Sequence, residues 1–101
     1  MSKEVYIIAQ IEVKEFKTYF EEYALKLKDI LPKYQGEALV GTTKAEVLEG
    51  EQFGNWTVIL KFPSQELAYA CINSEEYAPI AKKRIDELQN GGNVLMVPAQ
   101  G

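Results

Sequence analysis

Tyr77 and Arg84 have side chains that could recognise a negatively charged group. They lie seven residues apart, so two turns of a helix would place them on the same side. A guanidinium binds carboxylate or phosphate through two parallel hydrogen bonds. A phenol hydroxyl can orient a substrate or act as a weak acid. The alternatives are a structural ion pair from Arg84 to a strand or loop carboxylate, and structural packing for Tyr77.

Other chemistry is restricted by the absence of histidine from the sequence. Histidine is the usual general base near neutral pH and the commonest metal ligand, so Ser-His and Cys-His nucleophiles and His-bound zinc or haem are excluded. The single cysteine, Cys71, has no disulfide partner within the chain and is predicted to be a small buried side chain. We therefore expect no metal and no cofactor. Catalysis would rely on carboxylate, tyrosine, lysine or the substrate's own reactivity.

The size and charge of the chain limit the classes of partner that we expect it to bind. Its 101 residues predict one domain, 1–101. The net charge of −4 argues against nucleic acid, and the basic run 82–84 is predicted to be a solvated helix face. The apolar stretch at the N-terminus is short and interrupted, which argues against a membrane segment. We expect a cytoplasmic protein.

Hydrophobic periodicity predicts the element order strand–helix–strand–strand–helix–strand. A helix over 14–31 should end at Pro32, and a strand over 37–50 should bend or bulge at Gly41. Ser64 and Ser74 are predicted helix caps, Pro79 the first residue of a further helix, and 91–92 its stop. The predicted strands are 5–13, 37–50, 55–62 and 93–97. This order is typical of a ferredoxin-like α+β fold, with two helices on one face of an antiparallel sheet.

The second face of that sheet is predicted to be apolar as well. Tyr6, Ile8 and Ile59 would need cover there, together with either the Leu95/Val97 or the Val94/Met96 pair. Two sheets packed face to face in a homodimer would supply it. Tyr6 and Gln10 would then line either a pocket in the barrel between the sheets or a plain dimer contact. Trp56 is placed on the helix-covered face, where packing and ligand stacking are the two alternatives.

A pattern in the second half of the chain resembles a known family. It reads F-P-S…S-x-E-Y-x-P-[IL]…R, and segments 6–9 and 45–50 add to it. The chain resembles the bacterial domain-of-unknown-function family 1330 over about 5–97. The pattern is carried by Phe62, Pro63, Ser64, Ser74, Glu76, Tyr77, Pro79, Ile80 and Arg84.

This resemblance implies a dimeric α+β barrel without an established activity. The wider superfamily includes cofactor-free monooxygenases, isomerases, haem-degrading enzymes and stress-associated proteins, so the fold does not define the function. Haem degradation is excluded here, because those relatives depend on a histidine ligand. Family members often carry an arginine in a second-strand segment similar to L-x-R-G-G, whereas residues 40–43 (V-G-T-T) contain none.

Two functions therefore remain open. The first is a homodimer that binds a small apolar or weakly acidic molecule. The second is a cofactor-independent monooxygenase or isomerase that acts on an aromatic or enolisable substrate and stabilises developing negative charge with Tyr77 or Arg84. The second function requires a sizeable cavity with convergent polar groups. The candidate ligand-binding residues are Tyr6, Gln10, Tyr77 and Arg84.

Overall fold

The computed structural model describes residues 3–100 and confirms the predicted element order. The four strands are β1 (Val5–Val13), β2 (Glu37–Thr42), β3 (Trp56–Phe62) and β4 (Gln89–Pro98), and they form one antiparallel sheet in the order β2-β3-β1-β4. The sheet carries its helices on one face, as a ferredoxin-like α+β fold requires.

Two long helical stretches and one short helix cover the sheet. The first long helix, 16–34, combines α1 (Phe16–Tyr19), a π-helical turn (Phe20–Ala24), α2 (Leu25–Ile30) and a 3-10 turn (Leu31–Tyr34). The short helix is α3 (Gln65–Ile72). The C-terminal helix, 77–88, combines α4 (Tyr77–Lys83) with a second π-helical turn (Arg84–Leu88). Among residues 3–100, no helix is long and apolar enough to span a membrane.

The predicted serine caps are present at the helix starts. Ser64 Oγ accepts a hydrogen bond from the Leu67 backbone N–H at 3.2 Å, and Ser74 Oγ accepts one from Tyr77 at 3.2 Å. Pro79 is the third residue of α4 and not the first. The position is tolerated because the N–H groups of a first helical turn have no partner within the helix.

The alternation of β1 separates the two faces of the sheet as predicted. Val5, Ile7, Ile11 and Val13 are buried against the helices. Trp56 and Val58 of β3 lie on the same face and pack against this core. We call this side the core face and the opposite side the outer face. The buried core also includes Tyr19, Tyr23, Leu27, Ile30, Leu31, Leu60, Phe62, Ala68, Cys71, Ile80 and Leu88.

The second strand is shorter than predicted, and its irregularity lies elsewhere. The register with β3 shifts between Ala38 and Val40, so the bulge is at Leu39 rather than at Gly41. Residues 43–55 form no strand, because their alternation has no buried face: Leu48 is 91% exposed. The Thr42 hydroxyl accepts a hydrogen bond from the Lys44 N–H at 3.0 Å, where the chain leaves the sheet.

The end of the C-terminal helix also differs from the prediction. The helix ends at Leu88, β4 begins at Gln89, and the glycines at 91–92 lie inside β4. A Cβ atom on Gly92 would lie 2.5 Å from Ile11 Cγ2. A glycine is needed at this position because β4 passes close to a buried β1 side chain, and not because a helix stops there.

The strand register decides which C-terminal side chains share the outer face. Tyr6 lies opposite Val97, and Ile8 lies opposite Leu95 and Ile59. The Leu95/Val97 pair therefore lies on the outer face, and Val94/Met96 lies on the core face. Val40 extends the apolar row on β2. The outer face is thus apolar across all the strands of the sheet.

Asn55 connects the long loop 43–55 to the end of β1. Its side chain accepts a hydrogen bond from the Val13 N–H at 2.7 Å and donates one to the Val13 carbonyl at 3.0 Å. Its own N–H donates to the Ile11 carbonyl at 3.0 Å. One side chain therefore satisfies both backbone groups of a β1 residue.

We expect Asn55→Ala to destabilise the protein by about 1–3 kcal/mol, because it leaves partly buried backbone groups without partners. Urea unfolding measures the change. Asn90→Ala, at an exposed position of β4, is the matched control and should stay within about 0.5 kcal/mol of wild type. Equal losses in the two variants would contradict this role of Asn55.

Tyr19 makes stability sensitive to alkaline pH. Its side chain is 2% exposed, and burial raises the pKa of its hydroxyl from 10.0 to about 12, although Arg84 and Trp56 act in the opposite direction. The folded state therefore holds this proton more tightly than the unfolded state. The stabilisation is complete below about pH 10 and is lost as the pH rises towards about 12.

In urea unfolding at a series of alkaline pH values, the free energy of unfolding of Tyr19→Phe should fall less steeply than that of wild type. The slopes of the two free energies of unfolding against pH should differ by roughly 1 kcal/mol per pH unit between pH 10 and about 12. Parallel pH profiles would show that Tyr19 does not contribute.

Candidate functional site

A cavity of about 580 Å³ lies between the helices and the core face of the sheet. Its walls are mainly apolar and include Leu27, Val58 and Leu60. Some lining side chains, such as Leu25 and Ile85, are exposed, so the cavity opens to solvent. The polar and aromatic side chains in its lining are Tyr19, Tyr23, Lys28, Trp56, Phe62, Tyr77 and Arg84.

Arg84 is a buried cation at this cavity. It is 8% exposed, so the prediction that 82–84 form a solvated helix face is wrong for Arg84. Lys82 forms an ion pair with Asp86, and Lys83 forms one with Glu22 of the first long helix. Arg84 Nη1 donates a hydrogen bond to Gln89 Oε1 at 2.7 Å, and its Cζ lies 5.2 Å from the centroid of the Tyr23 ring. Within residues 3–100 it forms no ion pair, so the predicted alternative of a structural salt bridge is not realised there.

One donor of Arg84 remains unused. Its Nε is buried and has no hydrogen-bond partner among residues 3–100. Burial opposes the charge, but interactions with Tyr23 and Tyr77 outweigh it and raise the pKa of Arg84. The guanidinium therefore stays charged, although a buried charge without an opposite partner costs free energy.

Two tyrosine hydroxyls form a short hydrogen bond beside Arg84. Tyr23 Oη and Tyr77 Oη are 2.6 Å apart, and either can be the donor. Burial and the proximity of Tyr77 raise the pKa of Tyr23 well above 10.0. Tyr23 therefore keeps its proton at neutral pH, and the pair leaves one hydroxyl proton free to be donated elsewhere.

Trp56 provides a further buried donor. The rings of Phe16 and Phe20 pack edge to face against the indole, at centroid distances of 5.7 Å and 5.3 Å. Its Nε1 is buried and has no hydrogen-bond partner in the described part of the chain. The prediction that Trp56 lies on the helix-covered face is confirmed, and its ring also lines the cavity.

The two π-helical turns carry the central residues of the site. Tyr23 lies in the turn Phe20–Ala24, and Arg84 begins the turn Arg84–Leu88. A π-helical turn closes its hydrogen bonds over one more residue than an α-helical turn, which rotates the side chains that follow it. Such turns are frequent at functional sites. Periodicity at 3.6 residues gives no signal for π-helical turns, so it does not identify Tyr23 as a residue of the site.

The four candidate residues do not form one site. Tyr77 and Arg84 line the same cavity, as their spacing predicts. Tyr6 and Gln10 lie on the outer face, where Tyr6 donates a hydrogen bond to Glu4 at 3.3 Å and Gln10 lies opposite Thr57. Their role in a barrel pocket stays a prediction.

Cys71 and the acidic side chains of residues 3–100 form no second reactive centre. Cys71 is buried, and burial raises the pKa of its thiol, so the thiol stays protonated at neutral pH. Within residues 3–100, no group of three or more cysteine, aspartate and glutamate side chains is placed to hold a metal. The chemistry available in the cavity is thus hydrogen-bond donation and a fixed positive charge.

Comparison with solved structures identifies the fold. The RPA0582 protein of unknown function from Rhodopseudomonas palustris has a TM-score of 0.79 at 11% identity, over 100% of this chain and 85% of that chain. An ethyl tert-butyl ether d (ethd) family protein from Bacillus halodurans has a TM-score of 0.65 at 14% identity, over 92% and 95%. SnoaB, a cofactor-independent oxygenase from Streptomyces nogalater, has a TM-score of 0.63 at 13% identity, over 99% and 96%.

These likenesses show the fold and not the activity, because the identities are low. A comparison with curated proteins found no match. A family model, described as a domain of unknown function (DUF1330), matches residues 4–99. The chain therefore belongs to the DUF1330 family and has the α+β fold of dimeric α+β barrel proteins.

Proposed function

We propose that this protein is a homodimer that binds a small, mainly apolar molecule with an acidic group in the cavity of each protomer. The observation that carries the proposal is Arg84, which is buried beside the cavity without a carboxylate partner among residues 3–100. The site lies on the core face rather than in the barrel between the sheets.

The electrostatic argument starts from the cost of burying a charge. Arginine keeps its proton at any physiological pH, so burial does not neutralise Arg84. The Tyr23 ring and Gln89 compensate part of the cost through a cation–π contact and one hydrogen bond. An anionic oxygen in the cavity beside the guanidinium would supply the missing opposite charge.

The walls of the cavity define the rest of the ligand. They are mainly aliphatic and aromatic, and the volume of about 580 Å³ lies within the usual range of small-molecule sites. Apolar burial favours a hydrocarbon or aromatic body by about 25 cal/mol per Å². A carboxylic acid, enol or phenol with an apolar body therefore fits best.

A second function, cofactor-independent oxygenation or isomerisation, is supported by the tyrosine pair. An enolate or phenolate formed in the cavity would be stabilised by Arg84, and the paired Tyr23 and Tyr77 hydroxyls can donate a hydrogen bond to it. The solved structure of SnoaB, a cofactor-independent oxygenase, shares the fold. Binding of the acidic molecule is the step common to both functions.

The homodimer is supported by the outer face. Val40, Ile59, Ile8 and Leu95 form an apolar row across the sheet, and monomers seldom expose such a continuous patch. Two such faces packed together would bury both rows. All described elements share one sheet and one core, so residues 1–101 are taken as one domain in each protomer.

We expect Arg84→Met to weaken binding of phenylbutyrate by about ten- to a hundredfold, because a charge-assisted hydrogen bond contributes about 1.5–3 kcal/mol. Isothermal titration calorimetry measures the affinity. Phenylbutanol, which has the same apolar body and no charge, should bind wild type and Arg84→Met equally. Arg84→Lys, which keeps the charge, should recover part of the affinity.

Lys82→Met is the matched control, because Lys82 lies two residues away on the same helix and is exposed. It should leave phenylbutyrate binding unchanged. If both variants weakened binding equally, general charge attraction would explain it and the Arg84 site would be refuted.

Light scattering tests the dimer. Wild type should have a mass near twice 11.4 kDa at micromolar concentration. Leu95→Glu should shift the mass towards the monomer, because it places like charges on the outer face of both copies. Leu48→Glu, on the exposed loop 43–55, should stay dimeric. A monomeric wild type would overturn the homodimer.

A further inference from the structure

Among residues 3–100, the contacts of Arg84 are all with neutral groups. Its guanidinium donates a hydrogen bond to the amide oxygen of Gln89 and packs against the ring of Tyr23, and no carboxylate of this part of the chain pairs with it. We propose that Gln89 determines the charge preference of the cavity, because it positions Arg84 without neutralising it. This inference rests on the proposed function and adds a residue that decides which ligands bind.

Gln89 is joined to Arg84 through both its backbone and its side chain. Its backbone N–H donates a hydrogen bond to the Arg84 carbonyl at the end of the π-helical turn. Its side-chain oxygen accepts a hydrogen bond from Arg84 Nη1 at 2.7 Å. As the first residue of β4, Gln89 also lies opposite Val13 in the register with β1. The side chain therefore starts from a fixed backbone position directly beside the guanidinium.

The orientation of the Gln89 amide follows from its two neighbours. A guanidinium has only N–H donors, so the amide presents its oxygen to Arg84. The amide nitrogen lies on the side of Gly92, where an added Cβ atom would be 3.1 Å from it, so the glycine leaves room for the amide. A glutamate side chain has the same length and shape. A carboxylate at position 89 would therefore reach Arg84 Nη1 in the same way.

A carboxylate at position 89 would compete with an acidic ligand for the guanidinium. Arginine–carboxylate pairs are charge-assisted and frequently bidentate, so a resident glutamate would occupy donors of Arg84 and cancel its charge. The neutral amide of Gln89 accepts one hydrogen bond and leaves the positive charge beside the cavity, which Arg84 lines. Gln89 itself lies outside the cavity lining, so it acts through Arg84 as a positioning residue. The cavity consequently prefers an anion to a neutral molecule of the same shape.

Isothermal titration calorimetry on the full chain tests this role with phenylbutyrate and phenylbutanol. Gln89→Glu should weaken phenylbutyrate binding by about tenfold and leave phenylbutanol binding unchanged, because it cancels the charge and keeps the shape of the site. Gln89→Met, which has a side chain of similar length and no acceptor, should still bind phenylbutyrate more tightly than phenylbutanol, because Arg84 stays charged. If each variant weakened both probes equally, Gln89 would have only a structural role and the inference would be overturned.

Asn90→Asp is the matched control, because it adds the same negative charge at the next residue of β4, which is exposed. It should leave phenylbutyrate binding unchanged, since solvent and salt screen an exposed charge. Equal losses in Gln89→Glu and Asn90→Asp would refute the role of Gln89. The two proposals fail separately. If Arg84→Met binds phenylbutyrate as wild type does, the acid site is refuted, whereas wild-type binding by Gln89→Glu refutes only the role of Gln89.

Urea unfolding without ligand distinguishes a cancelled charge from a damaged fold. A glutamate at position 89 supplies an opposite charge to the buried Arg84, so Gln89→Glu should unfold at a higher urea concentration than Gln89→Met. This advantage should disappear when each variant is combined with Arg84→Met. We thus expect Gln89→Glu to combine higher stability with weaker binding of the acid. A lower unfolding midpoint for Gln89→Glu than for Gln89→Met would show that the carboxylate does not pair with Arg84, and would overturn the inference.

Discussion

Arg84 keeps its charge although its side chain is almost completely buried, and the arrangement of the site follows from this. The guanidinium is stabilised by the ring of Tyr23 from the first long helix and by Gln89, the first residue of β4. Its own position is set by the π-helical turn that ends the C-terminal helix. One buried charge thereby joins three elements at the cavity, and the compensation is incomplete because Nε has no partner among residues 3–100.

The two faces of the sheet have different roles. On the core face, β1 contributes buried side chains to the packing under the helices and to the cavity walls. On the outer face, Ile8 lies between Ile59 and Leu95 in the apolar row proposed as the dimer contact. Since side chains alternate along a strand, the same strand serves both surfaces, and a one-residue slip in register would exchange them.

The fold alone does not choose between a binding protein and an enzyme, because proteins of this architecture differ in activity. The side chains of the cavity limit the choice further. A fixed cation and a hydrogen-bonded pair of tyrosine hydroxyls favour negative charge in the cavity. Both proposed functions use this property, and they differ in whether the bound molecule reacts.

The sequence by itself determined the element order, the two apolar faces of the sheet, the serine caps and the shared side of Tyr77 and Arg84. These features are local, since they depend on periodicity and on neighbours within a few residues. Tertiary structure decided the bulge at Leu39, the end of the helix at Leu88, and which C-terminal pair shares the outer face. It also brought Tyr23 into contact with Arg84 across 61 positions of sequence, and Trp56 to the same cavity across 28. Contacts over such distances depend on strand register and on π-helical turns, and no local pattern encodes either.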